Sequence, residues 1–172
     1  RRIQHFSIML AEHTARTFEA VDILLREMAA DLSNNHHEWE QWEPNRGWEY
    51  VAQRHSRSLP QLRDLAVFDH EGNQRFISTY FPTPRLNIAD REYFKAHVAD
   101  STDRLLIGKP IIGRITGKSI VSLTRRLYHP DGAFAGVVFL ALDPVFLAPR
   151  YSNVEIAKDT TITLVGLDGI VR

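Results

Sequence analysis

The sequence predicts an α+β domain in which one long N-terminal helix packs on an antiparallel five-stranded sheet and a short lid helix lies against that sheet. Three observations carry the prediction. Apolar residues recur at steps of three and four across residues 1–33, the spacing of one helix face. Short apolar runs separated by glycine turns fill residues 65–142. A polar, aromatic segment from Asn87 to Val98 interrupts those runs with helical character.

The first helix is read from Ile3, Phe6, Leu10, Thr14, Thr17, Val21, Leu24, Met28 and Leu32, with neither Gly nor Pro between them. At about 1.5 Å per residue, some 30 residues extend about 45 Å. Such a rod either lies across its own domain or projects toward a membrane or a dimer partner, and one helix can do both. Residues 34–60 are polar and aromatic and hold all three tryptophans, Trp39, Trp42 and Trp48. Pro44 and Gly47 break this stretch, leaving a second helix from about Trp48 to Ser58. The tryptophans are read as wedges between the long helix and the sheet.

The strands begin at Leu65. Residues 65–78 form two strands around Asp69-His70-Glu71-Gly72, where glycine supplies the positive φ of a hairpin turn. Pro82 and Pro84 hold an extended connection. Asn87 or Asp90 is placed to cap the short helix. Three further strands follow, Leu106 to Ile112, Ser119 to Tyr128 and Ala133 to Leu142, joined at Thr116-Gly117-Lys118 and His129-Pro130-Asp131-Gly132. In the last segment, residues 161–172, the pattern of residues 65–75 recurs: apolar strand, Asp, Gly, then a second strand. It reads as a second module cut off near Thr160, or as a closing strand of the first sheet. The domain organisation is therefore 1–60 for the two helices, 61–159 for the sheet module and 160–172 for the restart.

Composition excludes several functions. Lys+Arg and Asp+Glu are both 21, so no global field favours nucleic acid. Hydrophobic content is 44% and charged content 24%, ordinary for a globular domain, and no apolar run of about 18 residues is present. The start reads as a cut within a longer protein. Cysteine is absent, which removes disulfides, thiol nucleophiles and thiolate metal sites. Of the eight histidines, His36-His37-Glu38, His5 and His13 lack the spacing that sets two imidazoles on one helix face, so neither metal nor cofactor is expected. No phosphate loop, nucleophile elbow or paired-carboxylate motif appears, and catalysis within this chain is not expected.

NIADREYFKAH, IGKPIIGRITGKSIVSLTRRL and PDGAFAGVVFLALDP, with the long first helix before them, resemble the membrane-distal module of double Cache sensor domains. This is the extracytoplasmic PAS-like (PDC) fold of bacterial membrane-bound histidine kinases and diguanylate cyclases. The resemblance implies the periplasmic or extracellular sensing part of an inner-membrane signalling receptor. Its parent chain would be membrane-anchored, with Arg1-Arg2 near the outer membrane surface, and a homodimer would form through the long helix. The output would be a histidine kinase, with a diguanylate cyclase or a chemoreceptor as the alternative. It implies a small organic ligand under the lid helix, or a distal lobe that is structural and binds none.

Many amino-acid-binding Cache domains carry an Arg-x-Trp-Tyr motif on this helix. Here the matching residues are Arg91, Tyr93 and Phe94. The guanidinium would hold a ligand carboxylate through parallel donors and the rings would close the pocket. Asp143 resembles the aspartate that takes the ligand ammonium. Those receptors carry a Tyr and an Asp after the strand proline, whereas Pro110 is followed by Ile111, Ile112 and Gly113. That removes half of the ammonium cage, and an anionic or apolar organic ligand fits at least as well. Arg91 could instead pair with Asp90 or Asp143 and pin the lid. By strand alternation Ser122, Thr124 and Arg126 share one face and Val121, Leu123, Arg125 and Leu127 the other. Ser122 and Arg126 join the expected ligand set, while alternation alone does not say which arginine faces the pocket.

Overall fold

The computed structural model describes residues 2–34, 38–114 and 116–144. The expected restart at Thr160 and the His36-His37 pair lie outside the described residues. Helix α1 (Arg2–Asn34) is continuous. Its sheet-facing stripe is Thr14, Thr17, Val21, Leu25, Met28 and Leu32, all buried. Leu25 occupies the position expected of Leu24, which is only half-buried, because the 4-3-4 spacing from Val21 to Leu32 runs through residue 25.

A 3₁₀ turn (Glu38–Gln41) leads into α2 (Pro44–Ser56). This helix starts four residues before the expected Trp48. Pro44 sits in its first turn, where a missing N–H is harmless. Gly47 does not break the helix. It lets α2 lie on the Phe76 ring, which a Cβ at that position would meet at 1.8 Å. Trp39 is fully buried and meets Phe76 edge-on at 6.5 Å, so it wedges α1 and α2 against the sheet as expected. Trp48 instead packs on Phe81 at 5.5 Å with the rings tilted by 45°.

The sheet comprises β1 (Leu62–Asp69), β2 (Gln74–Ile77), β3 (Leu106–Ile107), β4 (Ile111–Ile112), β5 (Ser119–Tyr128) and β6 (Phe134–Leu142). Among the described residues it has six antiparallel strands in the order β2-β1-β6-β5-β3, with β4 also on β5. The expected strand from Leu106 to Ile112 is thus two short ones. Pro110 cannot donate to the ladder, and Gly108 passes directly over the Ser122 side chain, so Gly108-Lys109-Pro110 arches off the sheet. The central pair β5–β6 forms a long hairpin, with Gly132 at φ 85° in its turn.

Each face of the sheet has its own core. On one, α1 and α2 cover Leu65, Val67, Val121, Leu123, Leu127, Val138 and Leu140. On the other, α3 (Glu92–Ala99) and the loop before it cover Ala66, Phe68, Ile120, Val137, Phe139 and Ala141. Helix α3 begins later than the expected Asn87. Asn87 Oδ1 accepts from the Ala89 N–H at 2.9 Å and Asp90 is bound by Arg114, so neither caps the helix. Arg91 occupies the N-cap position in extended conformation without a capping side-chain bond.

Candidate functional site

Two connected hollows lie between α3 and the sheet. The inner one is a pit of about 50 Å³ walled by Ala66, Phe68, Ile77, Ile88, Ile120 and Phe139, with Asp64 and Gln74 as polar lining. The outer one is a groove of about 550 Å³ between α3 and the arch joining β3 to β4. That volume falls in the range of small-ligand sites, about 300–1,000 Å³. Arg91, Tyr93 and Ile111 line both and form the partition between them.

The charges around the partition are unequally matched. Arg114 grips Asp90 with two parallel bonds of 3.0 and 2.6 Å and donates to the Asn87 carbonyl at 2.7 Å. The hydrogen bond from Arg114 holds the Asp90 carboxyl below the usual carboxylate range and raises the Arg114 guanidinium in turn. This clasp ties the segment after β4 to the approach to α3 at the edge of the pit. Arg91 is half-buried, and among the described residues its guanidinium makes no hydrogen bond or ion pair. Its five donors are available to an anion at the start of α3, where exposed backbone N–H groups also favour negative charge. Asp64, 8% exposed, accepts from Thr79 Oγ1 at 2.6 Å and bounds the pit.

Tyr93 leans over Phe139 at 5.8 Å, and burial pushes its phenol up to about 12, so it remains a neutral donor. Ser122 lines the groove, with its hydroxyl buried beneath Gly108 and without a hydrogen-bond partner among the described residues. The other expected ligand residues lie elsewhere. Phe94 is buried edge-on against Phe134 at 5.3 Å and lines neither hollow. Asp143, beyond the end of β6, takes a 2.7 Å bond from Arg63. Arg126 is on the α3 face, where it donates to the His97 carbonyl and to the Asp100 carbonyl at 3.3 Å. Arg125 is on the opposite face, against α1. Neither pairing considered for Arg91 occurs, since Asp90 is held by Arg114 and Asp143 by Arg63.

Asp64 and Arg114 were not singled out by the sequence. Asp64 carries a readable signal: it shares strand parity with Ala66 and Phe68 and stands at the head of the apolar run from Leu65 to Phe68. Arg114 offers none, because its role depends on the segment after β4 folding back to Asn87.

Beneath α3, His97 is buried and its Nε2 shares a 2.8 Å hydrogen bond with Thr124 Oγ1. Burial lowers its pKa to about 4. The unfolded chain binds the proton more readily, so the stability from neutral His97 is complete above about pH 6.5 and is lost as pH falls toward 4. Between pH 7.5 and 5 the loss is about 2 kcal/mol. Urea midpoints at the two pH values check this, with His97→Gln expected to flatten the difference.

No protein-family model matches the chain, and no curated protein does. Solved structures do. The extracellular domain of the histidine-kinase candidate rpHK1S-Z16 superposes with a TM-score of 0.75 at 31% identity, covering 86% of this chain and 58% of that one. The ligand-binding domain of the Campylobacter jejuni chemoreceptor Tlp3, in complex with 4-methylisoleucine, gives 0.67 at 13% identity over 98% of this chain and 67% of that one. The sensor domain of the V. cholerae histidine kinase DctB gives 0.56 at 16% identity over 87% and 62%. The chain spans somewhat under three fifths of the first of these structures. No helix among the described residues is long and apolar enough to cross a membrane. The chain has the fold of the extracellular sensor domains of histidine kinases and chemoreceptors, the Cache/PDC-like fold that its motifs resemble.

Proposed function

We propose that this chain is the extracytoplasmic ligand-sensing part of a bacterial transmembrane receptor, with a histidine kinase as its output. The ligand is a small organic carboxylate lying in the groove under α3, with its far end reaching past the partition into the pit. The observation that carries this reading is the guanidinium of Arg91, set on the partition between groove and pit without a hydrogen bond or ion pair among the described residues. A carboxylate there gains parallel charge-assisted bonds, while Tyr93, Ile107 and Ile111 cover an apolar body. Asp64 at the pit disfavours a second carboxylate and favours a ligand whose far end donates, an amine or hydroxyl. The amino-acid derivative bound by the Tlp3 domain agrees with such a pairing.

Thermal shift against a panel of monocarboxylates, dicarboxylates, amino acids and uncharged analogues tests this. Amino- or hydroxy-monocarboxylates are expected to raise the melting temperature and dicarboxylates to leave it unchanged. Stabilisation by uncharged apolar compounds alone would remove the carboxylate assignment.

A further inference from the structure

We propose that the adjacent arginines of β5 are the physical link between the lid helix and the long helix. They project to opposite faces of one strand. Arg126 holds the end of α3 by donating to the carbonyls of His97 and Asp100. Arg125 emerges on the other face, 7% exposed, and donates from Nη1 to Asp103 at 2.8 Å and from Nε to Asp22 of α1 at 2.9 Å. The segment leaving α3 therefore crosses from one face to the other between them, with Tyr128 anchoring Ser101 on the way and Leu105 packing into the helix-side core.

The two arms of Arg125 differ in strength. Asp103 is 64% exposed, so water competes for that bond. Asp22 is 20% exposed, meets both Nε and Nη2, and is also held by Arg26 one turn on. A shift of α3 that draws Asp103 away leaves Arg125 neutralised by Asp22. The buried cation is never stranded, and the lid can move without unfolding the sheet. What changes is the direction in which Arg125 is held, and Asp22 registers that change on α1. The link thus supplies a two-position element through which occupancy of the groove biases the long helix.

This relay rests on α3 being the lid of the ligand site, but its test needs no ligand. Hydrogen exchange is measured on the 172-residue chain for Asp103→Asn, Asp22→Asn, the double variant and Arg125→Lys. Asp103→Asn is expected to speed exchange of α1 amides around Asp22 about two- to fivefold, and Asp22→Asn to do the same for residues 100–104. Amides of β1 and β6 should be unchanged in the single variants. The double variant, which strands the buried Arg125 guanidinium, should speed exchange by more than the two singles combined. Arg125→Lys, unable to fork, should reproduce the Asp103→Asn pattern. Effects confined to the mutated element, or spread evenly over the sheet, would overturn the relay. Failure here leaves the carboxylate site standing, whereas loss of Arg91-dependent binding removes the site and leaves the relay.

Discussion

Arg91→Ala is expected to weaken binding of every stabilising carboxylate by roughly 10- to 100-fold, the loss of one charge-assisted bonding pair. The melting temperature without ligand should stay within a degree or two, because among the described residues the guanidinium makes no hydrogen bond or ion pair that its removal would break. Arg91→Lys should recover only part of the affinity, since an ammonium cannot offer two parallel donors. Isothermal titration with the best compound of the panel gives the comparison. Asp64→Asn provides the reciprocal result: dicarboxylates should gain affinity as the charge facing their second carboxylate disappears. Unchanged affinity in Arg91→Ala would place the ligand elsewhere.

Gly136→Ala is expected to be the most damaging single-methyl change in the described fold, costing about 3 kcal/mol or more. Gly136 sits in β6 at φ 147°, opposite Asp69, and an added Cβ would lie 2.1 Å from the Phe68 carbonyl oxygen. That oxygen belongs to the central β1–β6 pairing, so neither strand can yield without disturbing the sheet that carries both cores. Gly132→Ala is the control. It also needs a positive φ, but nothing lies within 4 Å, so only the backbone term of about 1–2 kcal/mol applies. Chemical denaturation of both variants separates steric conflict from backbone strain.

Much of this architecture is legible in the residues because it depends on local regularities. The unbroken 3.6 period yields α1, and Gly72, Gly117 and Gly132 mark turns whose φ of 87°, 67° and 85° suits no other residue as well. The errors arise where a distant partner decides. Gly47 reads as a breaker until Phe76 is known to lie on it. The Leu106 to Ile112 run reads as one strand until Gly108 is seen to clear Ser122.

The site follows the same division. Arg91 and Tyr93 stand on the partition, because a short helix presents neighbouring turns to the same surface. Phe94, one residue on, is turned into the core. Alternation separates Arg125 from Arg126 but assigns neither face, since both sides of β5 are buried. Arg126 and Asp143 meet protein groups that lie 29 and 80 residues away in sequence, distances no motif encodes.

A carboxylate is expected to bind between α3 and the sheet at Arg91. NMR titration of the isotopically labelled chain with the most stabilising compound tests it most directly. The Arg91 Nε–H resonance should shift together with the amides of Tyr93 and Ile111. Saturable shifts confined to the groove between α1 and α2, around Trp42 and Tyr50, would contradict it.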